Sequence, residues 1–258
     1  MSDAVPILPA ATILLVRDDP FEVLMVRRHH QIDFASGALV FPGGKTHSGD
    51  QDSAWAHHVE GWDGVEPHKR ELRIAAIREA YEESGILLAR HADGRHFAGD
   101  QAAGEARDAV AKNERPFIDL VRELGIKLDL SALSVFAHWI TPPLTPKRFD
   151  TWFYVAVAPK DQLATCDGWE TVDAEWIDPA HAIRLGVSGE RTVIFPTRMN
   201  LQLLAEASSA GDAIARAQAR DVVTVLPQIE MRDGVRVLTL PKDAGYGDII
   251  EPLTAVSR

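Results

Sequence analysis

"REAYEESGI", residues 78–86, sets Glu79, Glu82 and Glu83 at i, i+3 and i+4 and closes on Gly85. On an α-helix those positions share one face, with Cβ atoms about 5–6 Å apart. Like charges held that close repel, at roughly 0.2–0.5 kcal/mol per pair on a bare helix. Arg78 is adjacent in sequence and is read as pointing elsewhere, while Arg73 and Lys69 upstream offset the repulsion only in part. A hard divalent cation is the more economical counter-charge, because Mg²⁺ prefers carboxylate oxygens and retained water. A glutamate-rich helix face alone is usually just solvated surface, so the reading depends on what accompanies it.

Its companion lies upstream in "VFPGGKTHSGD", residues 40–50. A strand ends in Phe41-Pro42, two glycines follow, and the loop closes on Asp50. A tight turn does not need that much chain, so the loop is read as built to hold something.

Periodicity supplies the surroundings. Residues 12–19 and 21–28 read as strands around a turn at Asp18-Asp19-Pro20, and 37–44 as a short strand entering the glycines. Residues 45–70 form an irregular, partly helical excursion. From Pro67 the apolar residues Leu72, Ile74, Ile77, Ala80 and Tyr81 recur at helical spacing up to Gly85, a suitable helix terminator. Residues 86–95 read as a strand and turn, and 100–125 lean helical with a break at Pro116. Residues 133–143 and 149–159 are strands, and another strand precedes a helix starting at Asp178-Pro179. A helical pair broken at Gly211 and a hairpin at Asp233-Gly234 complete the chain. This irregular interleaving predicts an α+β fold, a mixed-sheet sandwich rather than a doubly wound one.

With 258 residues the chain is long enough to bury a full core, and 46% hydrophobic with 25% charged residues is ordinary for a soluble protein. No stretch is long and apolar enough to suggest a membrane span, and the N-terminus lacks a basic segment before its apolar run, so neither membrane insertion nor a signal peptide is expected. The net charge of −11 opposes sequence-independent binding to nucleic acid or an anionic membrane. Cys166, the only cysteine, excludes an intrachain disulfide, fits a reducing cytoplasm and is read as inert. His47, His57, His58 and His68 match no common zinc spacing.

Together the two stretches resemble the Nudix box: Gly, five residues, Glu, seven residues, then Arg-Glu-apolar-x-Glu-Glu-x-Gly-apolar. Gly44 through Asp50 matches the first part with Asp in place of Glu, and Arg78 through Ile86 matches the second part at every fixed position. Between Asp50 and Arg78 stand 27 residues where the pattern has seven, an insertion of twenty. Glu71 is one residue off the spacing needed for the pattern's first acid, so Asp50 is preferred. An insertion here resembles the branch of peroxisomal-type coenzyme A diphosphatases and their bacterial relatives. Arg28 and Gly37 also fall where that branch places an arginine and a glycine before Phe-Pro-Gly-Gly, but a second expected arginine is Asp33 here.

The resemblance, which spans about residues 8–205, implies a Nudix-type α/β/α sandwich with a mixed central sheet plus helical insertions. One domain over 1–258 is expected, with the insertion at 51–70, a helical segment at 100–125 and a C-terminal helix plus hairpin at 198–250. It implies Mg²⁺- or Mn²⁺-dependent hydrolysis of a pyrophosphate bond in a nucleoside diphosphate linked to another group. Coenzyme A or acyl-coenzyme A is the expected substrate, with ADP-ribose, NADH or a nucleotide sugar as the alternative. A non-catalytic ligand-sensing domain is less favoured, since a sensor has little reason to keep all three carboxylates. Glu82 and Glu83 are the implied main metal ligands, with the Gly44 carbonyl completing the shell; Glu79 is a further ligand or orients the water. Arg78 would anchor the loop, and Asp50 would stabilise the loop–helix joint. Glu170, ahead of Glu175, is the expected base outside the box, and Arg28, Lys147, Arg148, Gly43 and Gly44 are expected to meet substrate. Trp55 and Trp62 of the insertion are read as part of a substrate mouth or of an oligomer contact, leaving room for a homodimer.

Overall fold

A computed structural model describes residues 5–29, 37–143, 145–166 and 171–256. In chain order the first half comprises β1 (Ile7–Arg17), β2 (Glu22–Arg28), β3 (Leu39–Val40), β4 (Gly43–Lys45), β5 (Val59–Glu60), α1 (Pro67–Ser84), β6 (Ala89–His91), α2 (Gln101–Ala111), α3 (Phe117–Glu123) and β7 (Ile126–Asp129). There follow β8 (Ser134–Ile140), β9 (Arg148–Val157), β10 (Thr171–Ile177), α4 (Pro179–Ser188), α5 (Phe195–Leu204) and α6 (Ala210–Ala219). The last elements are β11 (Thr224–Val225), β12 (Gln228–Arg232), β13 (Val235–Thr239), β14 (Ile250–Pro252) and α7 (Leu253–Val256).

The main sheet runs β10-β2-β1-β9-β8-β11, with β3 added to β2 and β4 to β1. It is mixed: β1 is antiparallel to β2 and β4 but parallel to β9, from Ile7 opposite Arg148 to Val16 opposite Val157. Strand side chains alternate between faces, and β1 shows it clearly. Ala11, Ile13 and Leu15 join Leu72, Ile77 and Tyr81 of α1, Val110 of α2 and Leu120 of α3 in one core. Leu14 and Val16 join Ala182 of α4, Met199 and Leu201 of α5 and Ala213 of α6 in the other. Helices therefore cover both faces of the sheet.

Three local readings change. The strand expected over 37–44 is two short ones, because β3 pairs with β2 and β4 with β1. Pro42, at the crossing, has no N–H to give but accepts from Ile13 N at 2.9 Å. The break in the last helical pair lies before Gly211, which sits inside α6; Ser209 caps that helix through its hydroxyl on Asp212 N. Residues 51–66 of the insertion form short 3₁₀ turns and β5, and 67–70 are already the first turn of α1. The hairpin between β12 and β13 turns through Asp233 and Gly234, both at positive φ, as a two-residue turn demands.

Candidate active site

The site grows from the last two turns of α1. Pro67 occupies the first helical position, where its missing N–H costs nothing. Gly85, at φ +75°, ends the helix and gives its N–H to Tyr81 O at 2.9 Å. From Ile74 onward every residue to Ser84 is buried, charged ones included. Against this end lies β4, held on β1 by the pairs Thr12–Gly43 and Ala11–Gly44.

Arg78 is the organising charge, and the expectation that it points elsewhere is wrong. Its Nε and Nη2 donate to the two carboxylate oxygens of Asp50 at 3.0 and 3.1 Å, and Nη2 also reaches Lys45 O at 2.9 Å. Its Nη1 donates to both Glu79 and Glu82 at 2.8 Å. One side-chain fork thus ties the cradle loop to the helix and relieves the carboxylate repulsion. Burial opposes the guanidinium's charge, but Glu79, Asp50 and Glu82 outweigh it and raise its pKa. Arg73 instead caps Leu130 O and Leu133 O, and Lys69 pairs with Glu66.

Asp50 fastens its own loop as well, accepting from His47 N at 2.7 Å. Trp55, 1% exposed, gives its indole N–H to Gly49 O at 2.9 Å and packs against Phe117. It is a core residue and not the wall of a mouth. Trp62 is half-buried beneath the guanidinium of Arg70.

The glycines are required by proximity. A Cβ on Gly44 would lie 2.5 Å from Glu79 Oε1, and one on Gly43 would lie 2.7 Å from Ala11 O. Gly43 N donates to Glu83 Oε2 at 3.1 Å. The loop backbone therefore meets Glu79 and Glu83 with no side chain between them.

Among the described residues no three His, Cys, Asp or Glu side chains converge as a ready metal cage. The donor set nevertheless fits a hard cation. Glu79, Glu82 and Glu83 are oxygen donors beside a bare backbone, and Glu82 Oε1 is buried without a hydrogen-bond partner among the described residues. A buried carboxylate oxygen left alone is costly. Burial first, then the neighbouring Glu79, pushes the Glu82 carboxyl up to about 8. Glu79, Glu82, Glu83 and the Gly44 carbonyl are the groups available to hold a divalent ion.

The other expected residues scatter. Arg28, at the end of β2, stands opposite Thr171, whose hydroxyl donates to Glu83 O at 3.2 Å. Its own Nε is buried without a hydrogen-bond partner among the described residues. Lys147 is exposed and Arg148 opens β9, four residues along the strand from Trp152, which with Ala11 and Gly44 lies in one row. That is about 13 Å, so the register does not bring these two cations to the carboxylates. Glu175 pairs with Met25, a residue of the α4–α6 core, and so faces away from α1. Glu170 lies outside the described residues.

Two residues escaped the sequence reading. Thr171 carries no signal, being one threonine at the start of a strand. Arg107 does carry one: Ala103, Ala106, Arg107 and Val110 share a buried helix face, where a lone arginine needs a partner. Its Nε donates to Glu82 O at 2.9 Å.

The comparisons with known proteins agree with this geometry. The NUDT19 Nudix domain matches residues 60–202, more than half of the chain. The human acyl-coenzyme A diphosphatase NUDT19 is 29% identical over 286 residues, covering 92% of this chain and 76% of that protein. Its Xenopus laevis counterpart is 25% identical, and the match spans 54% of that protein's length. The crystal structure of a Nudix hydrolase from Alicyclobacillus acidocaldarius superposes with a TM-score of 0.72 at 27% identity, covering 82% of this chain and 96% of the other. Sheet, carboxylate helix and glycine cradle are those of a Nudix hydrolase. Within that class the chain belongs to the NUDT19 Nudix domain family. No helix among the described residues is long and apolar enough to cross a membrane.

Proposed function

We propose that this Nudix hydrolase cleaves the phosphoric anhydride of coenzyme A or an acyl-coenzyme A, releasing 3′,5′-ADP and a 4′-phosphopantetheine product. The observation that carries the hydrolytic part is the buried Glu79–Glu82–Glu83 set at the Gly43–Gly44 backbone, with one Glu82 oxygen unpartnered among the described residues. The substrate part is supported by the acyl-coenzyme A diphosphatases among its relatives and by Arg28 upstream of the cradle.

Glu79, Glu82, Glu83 and the Gly44 carbonyl are the groups that would hold Mg²⁺ or Mn²⁺, and the ion when bound would supply charge neutralisation for the anhydride and Lewis acidity toward a P–O bond and a water. The chain's own groups set the geometry. Gly43 N–H holds Glu83 by one oxygen, and Arg78 holds Glu79 and Glu82 by one each, which fixes the direction of all three carboxylates. Arg78 and Asp50 act on the loop and not on substrate. Glu170 is proposed as the base beyond the box, and Arg28, whose Nε has no hydrogen-bond partner among the described residues, as a contact to a substrate phosphate. Lys147 and Arg148 keep a role only toward a distal part of a long substrate. The proposal includes one domain over the whole chain, a cytoplasmic site of action supported by the lone cysteine, and no nucleic-acid partner.

A second reading, hydrolysis of ADP-ribose, NADH or a nucleotide sugar, is favoured by Asp33, where coenzyme A-acting members resemble one another in carrying arginine. A substrate panel decides. Coenzyme A is expected to yield 3′,5′-ADP in the presence of Mg²⁺ or Mn²⁺, and Glu82→Gln to lower turnover by orders of magnitude while the fold persists. Rapid cleavage of ADP-ribose with none of coenzyme A would move the assignment to the second reading. Size-exclusion chromatography with light scattering on the same sample tests for a homodimer.

A further inference from the structure

We infer that Arg107, outside the Nudix box, is a positioning residue for the metal-binding end of α1; this rests on the site reading above. A helix leaves its last carbonyls without intrahelical partners. In α1 the Tyr81 carbonyl is taken by Gly85 N, and the next three are each taken from outside the helix. Arg107 Nε donates to Glu82 O at 2.9 Å, Thr171 Oγ1 to Glu83 O at 3.2 Å, and Thr165 N to Ser84 O at 2.9 Å. These belong to the very residues that carry the carboxylates and to the one that follows them.

Arg107 is the joint of this arrangement. It is 8% exposed, and its Nη1 donates to Thr165 Oγ1 at 3.1 Å while lying 3.5 Å from Cys166 O. The guanidinium therefore spans the helix end and the segment packed over it. Gly85 lies directly beneath it, and the φ of +75° there, rather than lack of room, is what calls for glycine, since a Cβ would meet Arg107 Nη1 at an ordinary 3.4 Å. The α1–α2 contact beside it is fixed by Tyr81, whose hydroxyl donates to Ala103 O at 2.6 Å. A cation at a helix C-terminus also opposes the negative end of the helix dipole. Glu82 and Glu83 thus have their side chains directed by Arg78 and Gly43 on one side and their backbone fixed by Arg107 and Thr171 on the other. Groups that orient a ligand without touching the ion are commonly worth about 10–100-fold in metal affinity.

The test is Mn²⁺ affinity, read by electron paramagnetic resonance of the free ion at a temperature well below each variant's Tm. Arg107→Gln is expected to weaken Mn²⁺ binding by about 10-fold or more, Arg107→Lys to recover part of it, and Thr171→Val to give a smaller loss. Turnover on coenzyme A at saturating Mn²⁺ is expected to fall less than affinity does. Unchanged Mn²⁺ affinity in Arg107→Gln, with only a lowered Tm, would overturn the inference and leave Arg107 a purely structural residue. If that variant does not fold, Thr171→Val decides alone, and an affinity equal to wild type overturns the inference. Glu82→Gln in the same experiment separates the two levels. If it binds Mn²⁺ normally, the site reading has failed. If it does not, while Arg107→Gln and Thr171→Val do, only this inference has.

Discussion

Helix α1 has two charged ends built on opposite terms. At its start Glu66 meets Lys69 at 2.9 Å and His68 at 3.3 Å, with the Glu66 and His68 side chains mostly in solvent. At its finish Arg78, Glu79, Glu82 and Glu83 are all under 10% exposed. The first arrangement is what any soluble helix does with its charges, and screening leaves such pairs worth little. The second takes four charges out of water, which a fold does not do for stability, since desolvation commonly exceeds what the pairing returns. Chemistry at that end is the reason to bear it.

Breaking the buried end should have the largest effect. Arg78→Ala removes the guanidinium that hydrogen-bonds Asp50, Glu79 and Glu82, and loss of one partner from a buried network costs about 3–5 kcal/mol. Denaturant unfolding is expected to show that loss and assays to show no turnover; a variant as stable as wild type would mean that the carboxylates find another counter-charge. The next effect is a pH dependence. With Glu82 raised to about 8, an incoming cation must displace its proton, so affinity should weaken as pH falls below 8 and level off above it. Titrations of Mn²⁺ at pH 6, 7, 8 and 9 are expected to lose about tenfold per unit on the acid side; a flat series would place the proton elsewhere. The smallest effect belongs to the exposed end. His68→Ala should leave both Tm and turnover within measurement error, and a clear loss in either would make that end more than surface.

The same contrast explains what could be read from sequence. Residues 78–86 fix both a helix and its chemistry in nine letters, because the i, i+3, i+4 spacing and the terminal glycine act locally. Asp50 was within reach for the same reason, through its position in a known pattern. Arg78's direction was not, since its five hydrogen bonds go to an adjacent glutamate, one turn of its own helix and a loop up to 33 residues away. Trp55 looked like a surface aromatic in a polar insertion, yet its pocket is made by Phe117 and the core beneath it. Lys147 and Arg148 looked well placed for phosphate until the β1–β9 register set them along the strand. Long-range register and tertiary burial decide such cases, and neither is written in a local window.

That register has a consequence for how the chain comes into being. The central strand β1 is made long before its longest partner, β9, which begins at Arg148 and lies parallel to it. The glycine cradle hangs on the other edge of β1. During synthesis, at about 5–20 residues per second, an apolar strand must therefore wait for well over a hundred further residues before its second edge closes. Pairings so distant in sequence are slow to form. A nascent chain halted before β9 would present an unfilled apolar sheet edge beside an already formed cradle, which is the state a chaperone would have to shelter.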